Sequence, residues 1–379
     1  MAVKRDIPHE EYAEAVLAEL RTRGPAFAGQ AGPRLRSIYF GGGTPALWRP
    51  GALGRVLGAV RSQFPADEEL EITVEANPGD LDPNVLVELR ALGIGRLSFG
   101  VQAFQDRLLE RIGRRHSADA TAASFAMARR AGFDNLCADL MFGLPGQSMA
   151  DWRASLAALC ALRPAHITAY ALTVEAGTRF GALEQAGQLD RPGDDEVAAM
   201  YVVGHETLTA AGYEHYEISS YARPGCRSRH NTLYWTMGAY LGLGASAASF
   251  LPLAAGDGWR TTNPRSLPSY LRWVAENAPA HSSDAADYRS RAMLEEEALW
   301  LALRTSDGVD RQAHERAYGH DPLVLPGRAA AARRCAEAGW LEITTERLRL
   351  CPPRGFLFAD EVAVRLWGEP RAALAPAGF

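Results

Sequence analysis

Apolar positions along this chain switch repeatedly between a helical period and short strand-like runs. Tyr12, Val16 and Leu20 fall on one face, so residues 7 to 23 read as a helix with Asp6 as its cap, Pro8 in its first turn and Gly24-Pro25 as its end. Ser37-Ile38-Tyr39-Phe40 then reads as a buried strand that stops in Gly41-Gly42-Gly43-Thr44-Pro45. Helical pattern resumes at Leu53, Val56, Leu57 and Val60, and residues 70 to 75 form a strand closed by Asn77-Pro78-Gly79. Asp80 is the expected cap of a helix carrying Val85, Leu86 and Leu89, followed by Gly93. Strands at 96–102, 134–140 and 166–172 alternate with helices at 117–130 and 148–162.

The strands end near Phe40, Glu75, Gln102, Leu140 and Leu172, in steps of 35, 27, 38 and 32 residues. Each step holds one strand, one helix and two loops, which implies right-handed crossovers and a parallel sheet. In an open sheet or a barrel alike, ligands sit at the carboxyl ends of such strands. The polar residues collect there: Gly41 to Thr44, Glu75 with Asn77, Gln102, and Asp139 ahead of Met141-Phe142-Gly143-Leu144-Pro145.

Arg191-Pro192-Gly193-Asp194-Asp195 reads as a boundary. A helix, a strand-like 213–219 and a stretch dense in aromatic residues and glycine follow it, including His230-Asn231-Thr232-Leu233-Tyr234-Trp235. From Glu295 the expected order is a helix at 296–303, two more near 312–318 and 329–338, and a hairpin over 341–350, a winged-helix pattern. Residues 295 to 379 carry 11 Arg and no Lys against 13 Asp plus Glu, so this pattern has no electrostatic footing for DNA.

Composition narrows the classes. With 47% hydrophobic and 22% charged residues among 379, the chain can bury two or three cores. A formal net charge of -5 argues against nucleic acid as a partner. No leader and no apolar run long enough for a bilayer is read, which points to the cytoplasm. Peripheral membrane association and oligomeric state stay open at this stage. The five cysteines, Cys137, Cys160, Cys226, Cys335 and Cys351, are scattered without any Cys-x-x-Cys and read as small buried hydrophobes in a reducing compartment.

A strand ending in three glycines lets a ligand approach main-chain N–H and C=O groups. No Gly-Lys-Ser/Thr follows and the dinucleotide spacing is absent, so it is no phosphate loop of those kinds; a plain glycine turn is the other reading. Together with Glu75-Ala76-Asn77-Pro78, Gly100-Val101-Gln102 with Arg114 and His116, and Asp139 to Pro145, the loop resembles the radical S-adenosylmethionine (SAM) family. The similar branch is that of oxygen-independent coproporphyrinogen III oxidase and HemW-type heme chaperones. The resemblance runs over nearly the whole chain. It implies a parallel partial (β/α)6 barrel lacking its first strand over residues 1–192, a smaller α/β region over 193–290, and a winged-helix-like domain of the HemN C-terminal type over 295–365.

The resemblance also assigns roles. Gly42, Gly43 and Thr44 would hold the methionyl amino group; Glu75, Gln102 and Asp139 the ribose and amino-acid portions; Arg114 the carboxylate; Ala171 a backbone or shape contact beside the adenine. For Glu75 and Asp139 a helix cap or surface pair is the plainer alternative. His230, Asn231, Tyr234 and Trp235 match a His-Asn-x-x-Tyr-Trp motif associated with heme, with His230 as a candidate iron ligand or else a structural histidine.

One departure matters. Family members carry Cys-x-x-x-Cys-x-x-Cys after their first strand, holding a [4Fe-4S] cluster, and this sequence has none of it. The expectation is an N-terminally longer chain; loss of the cluster is the alternative. The implied activity is that of a chaperone passing heme to recipient hemoproteins, which the His-Asn-x-x-Tyr-Trp element favours. Radical decarboxylation of coproporphyrinogen III is the enzymatic alternative, and a cluster-free heme or nucleotide binder a third.

Overall fold

Each strand of the main sheet turns its apolar side chains to one face and its polar ones to the other. A computed structural model of the chain describes residues 8–29, 34–253, 256–276 and 286–367. Five parallel strands, β1 (Leu35–Phe40), β2 (Ala66–Ala76), β3 (Arg96–Gln102), β4 (Asn135–Phe142) and β5 (His166–Ala171), follow one another in sequence order across the sheet. Their registers pair like with like: Ile38 with Ile72, Val74 with Leu97, Leu97 with Leu136 and Ala138 with Ile167. Because side chains alternate faces, this register buries one apolar surface beneath the crossover helices and leaves Tyr39, Glu75, Ser98 and Asp139 on the inner face of an open half-barrel.

The sheet continues past residue 192. Strand-like character expected over 213–219 resolves into a hairpin, β6 (Glu214–Glu217) and β7 (Ser220–Ala222), which joins antiparallel in the order β5-β7-β6. The cause is local: the Glu217 carboxylate accepts from the Ser219 N–H at 3.1 Å and from its hydroxyl, folding the chain back after Glu217. Residues 304 to 306 dock on this hairpin, with the Ile218 N–H donating to the Arg304 carbonyl and the Ser306 N–H to that of Tyr216.

Two helix expectations change. The first helix, His9–Ala28, runs through Gly24-Pro25 rather than stopping there. Gly24 serves helix contact: a Cβ there would fall 2.0 Å from the Gln63 amide of the facing helix Pro50–Gln63, and the Phe27 and Phe64 rings meet beyond the proline. Its proposed cap, Asp6, lies outside the described residues. Asp82, not Asp80, caps the helix Pro83–Ala91, accepting from Asn84 N–H at 2.8 Å and Val85 N–H at 3.0 Å. Asp80 instead accepts from the Asn77 side chain at 2.8 Å. Ser117 and Ser148, the first residues of the stretches read as helical, are the N-caps of theirs.

A second core lies between the first helix, Pro50–Gln63 and Tyr270. At its edge the fully buried Glu19 accepts from Arg23, Asn263, the Tyr270 hydroxyl and the Gly244 N–H, between 2.6 and 2.8 Å, tying the first helix to the 242–263 segment. A three-stranded sheet, Ala248–Pro252, Gly258–Thr262 and Ala286–Arg289, stands there. The C-terminal part has helices Arg291–Leu303, Arg311–Tyr318 and Arg328–Glu337, with a small sheet of Val309–Asp310, Arg347–Leu350 and Leu341–Ile343.

Candidate functional site

The loop after β1 is shaped for backbone recognition. Gly41 carries no side chain because a Cβ would lie 2.5 Å from the Tyr39 ring. Gly42 and Gly43 take φ of 80° and 141°, and a Cβ at either would meet nothing within 4 Å, so the main chain borders open space. Glu75, at the end of β2, fixes this loop: it accepts from the Tyr39 hydroxyl at 2.5 Å and from the Gly42 N–H at 3.2 Å. Asn77 makes a second link, donating to the Thr44 hydroxyl at 3.2 Å while accepting from Arg114 at 3.2 Å.

Gln102 ends β3 with φ of 65°, a strained conformation for a residue with a side chain, where the pairing of β3 with β4 also breaks register. It is buried, and its Oε1 accepts from the Tyr170 hydroxyl at 3.0 Å. Asp139 faces the same interior, with the Ser98 hydroxyl 3.4 Å away. Burial first, and the Glu75 charge next, push its carboxyl up to about 6. The Thr168 and Ser98 hydroxyls and the Arg96 charge offset only part of that push.

Gly42, Gly43, Thr44, Glu75, Gln102, Arg114 and Asp139 thus gather at the carboxyl ends of β1 to β4. Ala171 differs: it ends β5 opposite Phe142 and packs against the apolar core, leaving only its backbone toward the site. Three inner-face residues escaped the sequence reading, Tyr39, Ser98 and Tyr170. Two-residue alternation with Glu75 and Asp139 was the signal for them.

Deeper in the half-barrel lies the seven-residue helix Arg229–Trp235, which the sequence pattern left unassigned. Ser228 caps it, accepting from the Asn231 N–H at 3.2 Å. The Glu71 carboxylate of β2 receives the Arg229 and His230 N–H groups at 3.2 and 3.0 Å, a favourable charge at a helix start. His230 is bound on both sides: Nδ1 lies 2.9 Å from the Ser37 hydroxyl and Nε2 2.9 Å from the Tyr234 hydroxyl. Its ring stacks on Tyr39. Burial, with Arg96 second, lowers its pKa to about 4, so the imidazole is neutral near pH 7. The Arg304 guanidinium stands 5.9 Å from the Trp235 ring.

Acceptors of two carboxylates, open carbonyls, an amide and an arginine make a set suited to a small zwitterion bearing hydroxyls. An iron-sulfur cluster is another matter. All five cysteines are free, and burial pushes the Cys137 thiol up to about 12, away from the thiolate a cluster needs. Among the described residues no three cysteines converge, so these residues do not fit a [4Fe-4S] cluster.

A curled parallel sheet with a glycine loop after a strand and polar groups at its carboxyl ends defines the radical SAM class, and the Radical SAM superfamily model matches residues 9–159. Heme chaperone HemW of Bacillus subtilis (strain 168) is 36% identical over 368 residues, 96% of this chain and 92% of its own. That of Synechocystis sp. (strain ATCC 27184 / PCC 6803 / Kazusa) is 40% identical over 306 residues, 79% of this chain and 70% of its own. The chain belongs to the HemW family of the radical SAM superfamily. Among solved structures, coproporphyrinogen III oxidase (HemN) from Escherichia coli, described as a radical SAM enzyme, gives a TM-score of 0.79 over 97% of this chain and 85% of that one; at 21% identity the likeness is one of fold. The superfamily implies S-adenosylmethionine and a [4Fe-4S] cluster.

Proposed function

We propose that the protein is a cytoplasmic heme chaperone that binds heme and delivers it to hemoproteins, with S-adenosylmethionine at the strand ends. The observation that carries this is the His230 helix, keyed to the inner face by Glu71, Ser37 and Tyr39 directly beneath the glycine loop. In a chain so similar to HemW relatives, an aromatic-rich helix with a neutral imidazole is the element fitted to a porphyrin.

At the upper site, the carbonyls of Gly42 and Gly43 with the Thr44 hydroxyl would take the methionyl ammonium, Arg114 its carboxylate, and Glu75, Gln102 and Asp139 the ribose hydroxyls and amino-acid part. Ala171 would offer its backbone beside the adenine. Asp139 fits such a role, since donors from a ligand relieve a carboxylate that burial disfavours. At the lower site His230 is in the right charge state for iron, and Asn231, Tyr234 and Trp235 would flank the macrocycle. Heme supplies an iron centre that accepts an imidazole nitrogen. For His230 to offer Nε2, the Tyr234 hydroxyl must leave it.

Heme titration of the whole chain, followed at the Soret band, tests this beside His230→Ala and Tyr234→Phe. Stoichiometric binding that is lost in His230→Ala and strengthened in Tyr234→Phe, with transfer to an apo-hemoprotein, is expected. Unchanged binding in His230→Ala would remove the assigned ligand.

A further inference from the structure

In the C-terminal part, far in sequence from the strand ends, three metal-ligating side chains converge: Glu295 on the helix Arg291–Leu303, His314 on Arg311–Tyr318, and His320 just beyond it. The Nε2 atoms of His314 and His320 lie 3.5 and 3.4 Å from Glu295 Oε1 and Oε2. One ligand atom from each of the three lies within 4.8 Å of the others, close enough for a single ion with bonds of about 2.0–2.2 Å to draw them together.

His314 is 6% exposed, and its Nε2 has no hydrogen-bond partner although it is aimed at the carboxylate. His320 Nδ1 lies 3.2 Å from the Asp321 carbonyl, which only accepts, so Nδ1 donates there and holds the ring with Nε2 toward Glu295. Two imidazole nitrogens and a carboxylate thus converge on one point. Arg328 donates to Glu295 Oε1 at 2.9 Å and to the Pro322 carbonyl, orienting the carboxylate from behind as outer partners of metal-bound carboxylates do.

We infer that Glu295, His314 and His320 bind a divalent first-row transition-metal ion, separate from any iron of the half-barrel. Two imidazoles and one carboxylate suit zinc or iron(II), and the half-exposed His320 side leaves room for water as a further ligand. The ion would staple two helices and the segment leading to the helix Arg328–Glu337. The positive charge of Arg328 makes the site weaker than a four-ligand structural one.

Zinc(II) alone is the probe, titrated calorimetrically into the whole chain, with cobalt(II) absorption as the spectroscopic readout. About one equivalent should bind and raise the melting temperature, and affinity should fall by about tenfold or more in both His320→Ala and His314→Gln. His320→Ala changes a half-exposed residue and keeps the fold. Cobalt should give d-d bands without thiolate charge transfer. No saturable binding, equal binding in the two variants, or a thiolate band would each overturn the assignment.

Discussion

Tyr39 stacks on His230 with ring centroids 4.6 Å apart and planes 13° from parallel, while its hydroxyl donates to Glu75 at 2.5 Å. One side chain therefore touches both the strand-end ring and the helix proposed to hold heme. Burial and the Glu75 charge raise the phenol well above its ordinary value, so it remains a donor throughout the physiological range.

Tyr39→Phe keeps the stack and removes the donor. Glu75 then loses a charged hydrogen bond of about 1.5–3 kcal/mol and its hold on the glycine loop loosens. Calorimetry should show S-adenosylmethionine binding weakened by about tenfold, with heme affinity at the Soret band changed little. Tyr39→Ala should weaken both. No loss in Tyr39→Phe beside a loss in Tyr39→Ala would mean that the phenol only packs.

Asp139→Asn should stabilise the ligand-free protein at pH 7.5 by about 1–2 kcal/mol. The carboxyl titrates near 6 in the fold against about 4 when unfolded, so the native state holds the proton more tightly. That contribution is complete below about pH 4 and lost as pH rises through 6, leaving an unfavourable carboxylate above it. Urea denaturation at pH 7.5 and pH 4 checks the sign: a gain at the higher pH that vanishes at the lower is expected, together with weaker S-adenosylmethionine binding.

Glu19→Ala should cost about 3–5 kcal/mol, because it leaves Arg23 buried without its partner and strips acceptors from Asn263, Tyr270 and Gly244. Chemical denaturation reads this directly. Exposed pairs such as Arg55 with Glu14 should change stability by less than about 1 kcal/mol when broken.

The crossover pattern was plain in the sequence because each strand is an apolar run of fixed length between helical stretches. Glu75, Gln102 and Asp139 could be placed because parallel strands bring their carboxyl ends together. Gly24-Pro25 misled because the helix His9–Ala28 carries Pro25 inside it. The hairpin of β6 and β7 was hidden in one strand-like stretch because its turn is made by the Glu217 side chain, which no periodicity reports. His314 and His320 are not at one-turn spacing, and only packing brings Glu295 between them. Aromatic density around His230 marked importance without showing a helix, since glycine and aromatic residues there obscure any period.

Tyr216 joins the C-terminal part to the His230 helix. Its carbonyl accepts from Ser306, while its hydroxyl lies 2.7 Å from His166 Nε2 and 3.3 Å from the Ser228 N–H, at the cap of the His230 helix. A pull on the C-terminal part thus reaches the cap of the His230 helix through a short chain of polar contacts. Whatever grips the protein from that side holds a handle on His230.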